Sequence, residues 1–229
     1  MSEKPHVTIC IGTVGSPTFD KCKKIVFNLY EKDPRVKRIV IIRGKEPQSA
    51  WLNAMRFACK DTKWCLQVDE DMYLYKNALD ELLKFAKTKE AAGVKILNAS
   101  SLLFDIFLNT NIGSLKLWNS KAIQQLEFRD KLGGDRDYAK RAGSLGFSNI
   151  EIKKVLGRHD SAPTPEIAFK KYFEYTQKLR KFSGEKSAIN FSLHLKKKWN
   201  QNPTYINKKA YDGSIKGLRD KIANKSKRK

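Results

Sequence analysis

The sequence predicts an α/β fold: a mostly parallel sheet flanked by helices, with a basic, mainly helical C-terminal extension. Three observations carry this. Short β-branched runs alternate with apolar stripes at three- and four-residue spacing through the first half of the chain. The links between them are short and rich in Gly and Pro, as where a helix returns the chain to a parallel strand. Pro163-Thr164-Pro165 then breaks the pattern, dividing the chain into residues 1–162 and 163–229.

Val7 to Ile11 reads as the first strand, closed by the turn cluster Gly12 to Pro17. Phe19, Cys22, Ile25, Val26, Leu29 and Tyr30 form a helical stripe that Asp33-Pro34 stops. Val36 to Ile42 is a second strand with a turn from Gly44 to Pro47. Trp51, Leu52, Met55, Phe57 and Ala58 mark a second helix, and Trp64 to Val68 a third strand. Asn77 is placed to cap a helix reaching about Lys87, with Asp80 in the capping-box position. Val94 to Ser101 and Ser114 to Trp118 are further strands; Lys121 to Leu126 and Asp137 to Leu145 are helical. Glu151 to Leu156 is the last strand, followed by a turn at Gly157-Arg158. Beyond the prolines, Glu166 to Phe182 is an amphipathic helix. Ile189, Phe191, Leu193 and Leu195 alternate, and the last dozen residues read as a frayed basic end.

The chain has 229 residues, 41% of them hydrophobic, enough for a core. No 18-residue apolar run is present, so no transmembrane segment is expected, and the first residues do not read as a secretory leader. Cys10, Cys22, Cys59 and Cys65 lack metal-binding spacing and are expected as reduced thiols in a cytoplasmic protein. The formal net charge of +22 points to an anionic partner. It is uneven: residues 1–160 hold 28 basic and 19 acidic side chains, and residues 161–229 hold 18 and 5.

The chemistry is expected where the strands end, since ligands of such sheets gather at the carboxyl ends. The third strand runs into Asp69-Glu70-Asp71. Three adjacent carboxylates repel unless a cation or hydrogen-bond donors offset them. In an extended chain Asp69 and Asp71 point to one side, a hard-oxygen site suited to Mn²⁺ or Mg²⁺. The alternative is a solvated acidic loop.

A strand ending in an Asp-x-Asp triplet after two strand–helix units resembles the GT-A nucleotide-sugar glycosyltransferases, the family 2 type in particular. Ala50 to Ala58 is similar to the family's A-x-x-N-x-G-x-x-x-A segment, with Met55 at the Gly position. Gly133-Gly134-Asp135-Arg136-Asp137-Tyr138-Ala139-Lys140-Arg141-Ala142-Gly143 is similar to its G-E-D-x-D-L-x-x-R-x-x-x-G segment.

The resemblance covers about residues 5–160. It implies a probe-ready set of roles. Asp71, Asp69 and His159 would hold the metal, with Thr13, Arg43, Asn53, Asp69 and Glu70 on the donor, most readily a UDP-sugar. Asp135 or Asp137 would be the general base of an inverting transfer. Asp135 could instead only N-cap the helix that follows. Arg43-Gly44-Lys45 stands where the family has an acidic pair.

For the acceptor, Tyr172, Tyr175, Trp199 and Tyr205 among lysines suit a nucleic-acid strand with stacked bases. The same charge suits an anionic bilayer presenting a glycan. The reading favours a hydroxylated base in DNA over the membrane surface. A non-catalytic nucleic-acid-binding protein on a degenerate fold of this type is the rival. Deleting residues beyond about Asn200 is expected to leave the rest folded.

Overall fold

The computed structural model describes residues 6–44 and 48–222. Lys45 and Pro47 of the expected turn, and Lys225, Lys227, Arg228 and Lys229 of the basic end, lie outside them. The described residues divide into two compact units.

The first unit comprises the chain up to Arg129 together with Gly134–Asp160. In chain order it contains β1 (Val7–Thr13), α1 (Phe19–Tyr30), β2 (Val36–Arg43), α2 (Gln48–Ala58), β3 (Trp64–Asp69), β4 (Met72–Leu74) and α3 (Ala78–Ala91). There follow β5 (Ile96–Asp105), β6 (Thr110–Asn119), α4 (Ser120–Ile123), α5 (Gly134–Gly143) and β7 (Ser148–His159). The seven described strands form one sheet in the order β2-β1-β3-β6-β5-β7-β4.

β1 is parallel to β2 and β3, and β5 to β7, whereas β6 runs against both β3 and β5 and β4 runs against β7. Five strands therefore point one way, and only β6 and β4 point back.

Alternation along β1 serves two faces, as the period of a strand requires. Ile9 and Ile11 pack with Val26 of α1 and Leu79 and Leu82 of α3. Cys10 packs with Leu52 and Met55 of α2, Ile123 of α4 and Tyr138 of α5. Sandwiched between these two layers, β1 is buried without a break. All four cysteines are buried free thiols.

The strands of the second half outrun their expected ends. β5 continues to Asp105 and β7 to His159. Gly157, read as a turn, lies inside β7, where a Cβ would sit 2.7 Å from Tyr73 O and 2.9 Å from a Leu103 methyl. The glycine permits β4 to pair there, and β4, at three residues, is too short for periodicity to reveal. Asn77 precedes α3 without a side-chain cap, and Asp80 pairs with Arg35 instead. The helix expected from Lys121 to Leu126 is only the four-residue α4.

The second unit comprises Asp130–Gly133 and the chain from Ser161 onward. Its helices are α6 (Pro165–Ser183), α7 (Glu185–Gln201) and α8 (Tyr205–Arg219). Thr164 caps α6, accepting from Ile167 N at 3.3 Å, with Pro165 opening the first turn. Thr204 caps α8 in the same way at Asn207 N.

α8 lies on α6 through Ala210, Gly213, Ser214 and Gly217. A Cβ at Gly217 would meet Phe173 O at 2.6 Å, and one at Gly213 would collide with Phe169 O. The two backbones approach because side chains are missing there. Removing the chain beyond Asn200 would strip α6 of this partner, which corrects the expectation that such a truncation is harmless.

The alternation from Ile189 to Leu195 also resolves as helix. Ala188, Ser192 and Leu195 face inward, Phe191 packs on Tyr172 and Tyr175, and Ile189 and Leu193 face solvent.

Candidate active site

The last residues of the five strands that point one way are Thr13, Arg43, Asp69, Asp105 and His159. Polar groups are thus set along the carboxyl edge of the sheet, where an α/β sheet places its ligands.

Pairing between β4 and β7 sets Met72 opposite His159, and Asp160 N donates to Asp71 O at 2.8 Å. Asp71 and His159, far apart in sequence, are thereby held with Nε2 3.2 Å from Asp71 Oδ2. On the other side, the β5–β7 register sets Asp105 opposite His159, with Nδ1 2.9 Å from Asp105 Oδ2. Asp105 is 1% exposed, and its other oxygen accepts from Leu108 N at 2.7 Å. Each ring nitrogen of His159 thus faces a carboxylate oxygen, Nδ1 that of Asp105 and Nε2 that of Asp71. A carboxylate on one ring nitrogen is how metal-ligating histidines are commonly oriented, and here Asp105 holds that place while Asp71 stands at the other nitrogen.

Asp69 faces another group of side chains. Its Oδ1 accepts from Gln67 Nε2 at 3.2 Å, and Gln67 Oε1 accepts from Trp118 Nε1 at 2.9 Å. Lys116 lies opposite Gln67 in the β3–β6 ladder and reaches Asp135 Oδ2 at 3.1 Å. Residues directly opposite share a face, as do residues two apart. Asp69, Gln67 and Lys116 therefore line one face, and Lys116 ties Asp135 to it.

Asp135 is the second residue of α5, not its N-cap. Asp137 is held along the helix surface by Arg141 at 3.0 Å. The two candidate bases, two residues apart, have different surroundings.

Three of the donor-side candidates have partners within the chain. Glu70 accepts from the Thr13 hydroxyl and from the amides of Val14 (3.3 Å), Gly15 (3.2 Å) and Ser16 (2.9 Å). It braces the β1–α1 loop, because successive backbone amides form a ready anion site. Asn53 spends both ends of its amide on Phe128, donating to its O at 3.0 Å and accepting from its N at 2.9 Å. It fixes the segment before α5. The Arg43 guanidinium lies over the Phe19 ring at 4.8 Å.

The triplet's charge is felt nearby. Burial, then the carboxylates of Asp71 and Asp69, push the Cys22 thiol up to about 12. Burial and the neighbouring Asp160 likewise raise Tyr73, whose hydroxyl donates to Asp160 at 3.1 Å.

Among the described residues, no group of three or more His, Cys, Asp or Glu is gathered to hold a metal ion. The expected set of Asp71, Asp69 and His159 is therefore not one cluster, since Asp69 sits with Gln67 while Asp71 sits with His159. Asp71 and His159 remain as a carboxylate–imidazole pair. That donor set suits an ion sharing its other positions with water and phosphate oxygens.

Sequence reasoning missed Asp105, Lys116 and Trp51. Asp105 carried the same signal as Asp69, an acid closing an apolar run. Trp51 lies against the end of β1, where a Cβ on Gly12 would meet its ring at 3.1 Å.

No protein-family model and no curated protein matches the sequence. Among solved structures, the chain is similar to the mannosyltransferase PcManGT from Pyrobaculum calidifontis, in complex with GDP-Man and Mn²⁺. The TM-score is 0.58 at 12% identity, over 95% of this chain and 70% of that one. It is also similar to glucosyl-3-phosphoglycerate synthase from Mycobacterium tuberculosis, in complex with Mn²⁺, UDP-Glc and glycerol 3-phosphate. There the TM-score is 0.51 at 10% identity, over 77% of this chain and 79% of that one. At such identities the likeness is one of fold, and together with the mixed sheet and its carboxyl-edge residues it establishes that this chain has the GT-A glycosyltransferase fold.

Proposed function

We propose that the protein is a metal-dependent glycosyltransferase that moves a sugar from a nucleoside-diphosphate sugar to a hydroxyl acceptor. The observation that carries this is the Asp71–His159–Asp105 line at the carboxyl edge of the sheet. Asp71 and His159 would hold Mn²⁺, the ion present with the two solved structures of the same fold, with Mg²⁺ as its substitute. Bound there, the ion would supply electrophilic assistance to the departing diphosphate.

The remaining roles belong to the chain. Asp105 keeps the His159 ring in one orientation. Glu70 holds the loop carrying Thr13, beside which Trp51 and Arg43 flank the nucleotide. Asp69 meets the donor from the strand end. Asp135, held by Lys116, takes the acceptor proton in an inverting transfer, and Asp137 is the alternative base. The solved structures carry GDP-Man and UDP-Glc, so both nucleotides belong in the first donor panel, UDP-sugars leading.

The acceptor expected from sequence, a hydroxylated base in DNA, rested on charge and four aromatic side chains. Tyr172 is buried against Ser161 and Phe191, Tyr175 packs on Phe191, and Trp199 stacks on Tyr211. Tyr175 and Tyr205 are exposed, at 42% and 61%. The DNA reading is left with charge and these two rings as its support.

The test is a panel of nucleotide sugars with Mn²⁺, scored by release of free nucleotide, run beside Asp71→Asn. Wild-type release with one donor, absent in the folded variant, supports the reading. A variant as active as the wild type would show that the metal is held elsewhere. Failure of every donor to bind or turn over would leave the chain a non-catalytic member of the fold.

A further inference from the structure

The second helical unit presents a face that its own packing does not use. α7 buries Ala188, Ser192 and Leu195 and half-buries Phe191, the row that meets α6. Its outward row reads Lys186, Ile189, Asn190, Leu193, Lys196, Lys197, all exposed, at the spacing of one helix face. Ile189 is 43% and Leu193 57% exposed, four residues apart and so adjacent on the surface. Lysines bracket them at both ends.

Between Glu185 and Asp212 the chain has no acidic residue, and Glu185 itself is paired with Arg180 at 2.8 Å. A helix carrying two apolar rows, one packed and one ringed by lysines, matches a surface that is apolar within and anionic at its rim.

We propose that this face of α7 docks on an anionic lipid bilayer. Ile189 and Leu193 enter the headgroup–acyl boundary, while Lys186, Lys196 and Lys197 extend their stems to the phosphates. Duplex DNA would satisfy the lysines alone, because it offers the two apolar side chains nothing to enter. Of the aromatics that could have stacked on bases, Tyr172 and Trp199 are engaged inside the unit. The docking surface is independent of the transferase reading, since it is measured without donor or metal.

The test is co-sedimentation of the full chain with vesicles of phosphatidylserine and phosphatidylcholine, beside pure phosphatidylcholine vesicles and a DNA duplex at the same salt. Wild type should partition on the anionic vesicles and not on the neutral ones. Ile189→Ser with Leu193→Ser leaves the charge unchanged and touches only exposed positions. It should cut vesicle partition about ten-fold or more, with circular dichroism and DNA binding unaltered. Lys196→Gln with Lys197→Gln should cut vesicle partition by roughly five-fold per lysine. Equal partition of the serine variant and wild type overturns the proposal. So does DNA binding tighter than vesicle binding, which would assign the face to nucleic acid.

Discussion

At the residue scale, the site turns on what holds a side chain in place. Asp105 is buried and bonds His159 Nδ1 at 2.9 Å, so Asp105→Asn should weaken Mn²⁺ binding by roughly 10- to 100-fold. Titration calorimetry or the Mn²⁺ EPR signal reads this without turnover; an unchanged affinity would make Asp105 a purely structural acid. Asp135 and Asp137 separate by the same logic. Asp135→Asn should retain donor binding and lower kcat by about 10²–10⁴-fold. Asp137→Asn loses a surface i,i+4 ion pair with Arg141, worth on the order of 0.5 kcal/mol, and should turn over nearly as wild type. The reverse ranking would move the base to Asp137. Asp69, Asp71 and His159 stand out in the sequence because acids and a histidine near strand ends are chemically conspicuous, and Asp135 because its segment is similar to a family one. Glu70 and Asn53 were equally conspicuous, yet a sequence does not say whether a polar group spends its bonds on a ligand or on its own backbone.

At the element scale, close approach decides what tolerates change. Gly217→Val would drive its side chain into Phe173 O and Thr176, and should cost about 1–3 kcal/mol, read as a lower urea midpoint. Retention of wild-type stability would mean that α6 and α8 can part without penalty. The early elements were legible, β1 to β3 with α1 and α2, because each is long enough to show its period and each is closed by a turn. β4 was not, since three residues carry no period. β7 was cut short because Gly157 has the look of a turn, and only the neighbouring strand explains it. α7 was obscured by its two apolar rows, which mimic the alternation of a strand.

At the scale of the whole chain, the charge and the buried acids act over different ranges of pH. Cys22, Tyr30 and Tyr138 are each pushed up to about 12, chiefly by burial. The unfolded chain releases the thiol proton near 9 and the phenol protons near 10, while the folded chain keeps all three to about 12. Above pH 9 the unfolded state therefore binds fewer protons, and stability falls as pH rises. Each group contributes at most about 1.4 kcal/mol per pH unit across its own window. Melting temperature should thus drop between pH 9 and 11; a flat profile would mean that these groups ionise in the folded state at ordinary values. No helix among the described residues is long and apolar enough to cross a membrane.

The neighbours of His159 come from strands distant in the chain, Asp105 alone being 54 residues away. Loop-closure entropy makes such contacts late rewards of folding. β1, α1, β2, α2 and β3 can associate through short connections, but the line of Asp71, His159 and Asp105 exists only once β7 has slotted between β5 and β4. A ribosome that has released β3 alone has made the triplet without its histidine. The line of Asp71, His159 and Asp105 is therefore complete only when β7 is in place, although the helices α6 to α8 are still to come.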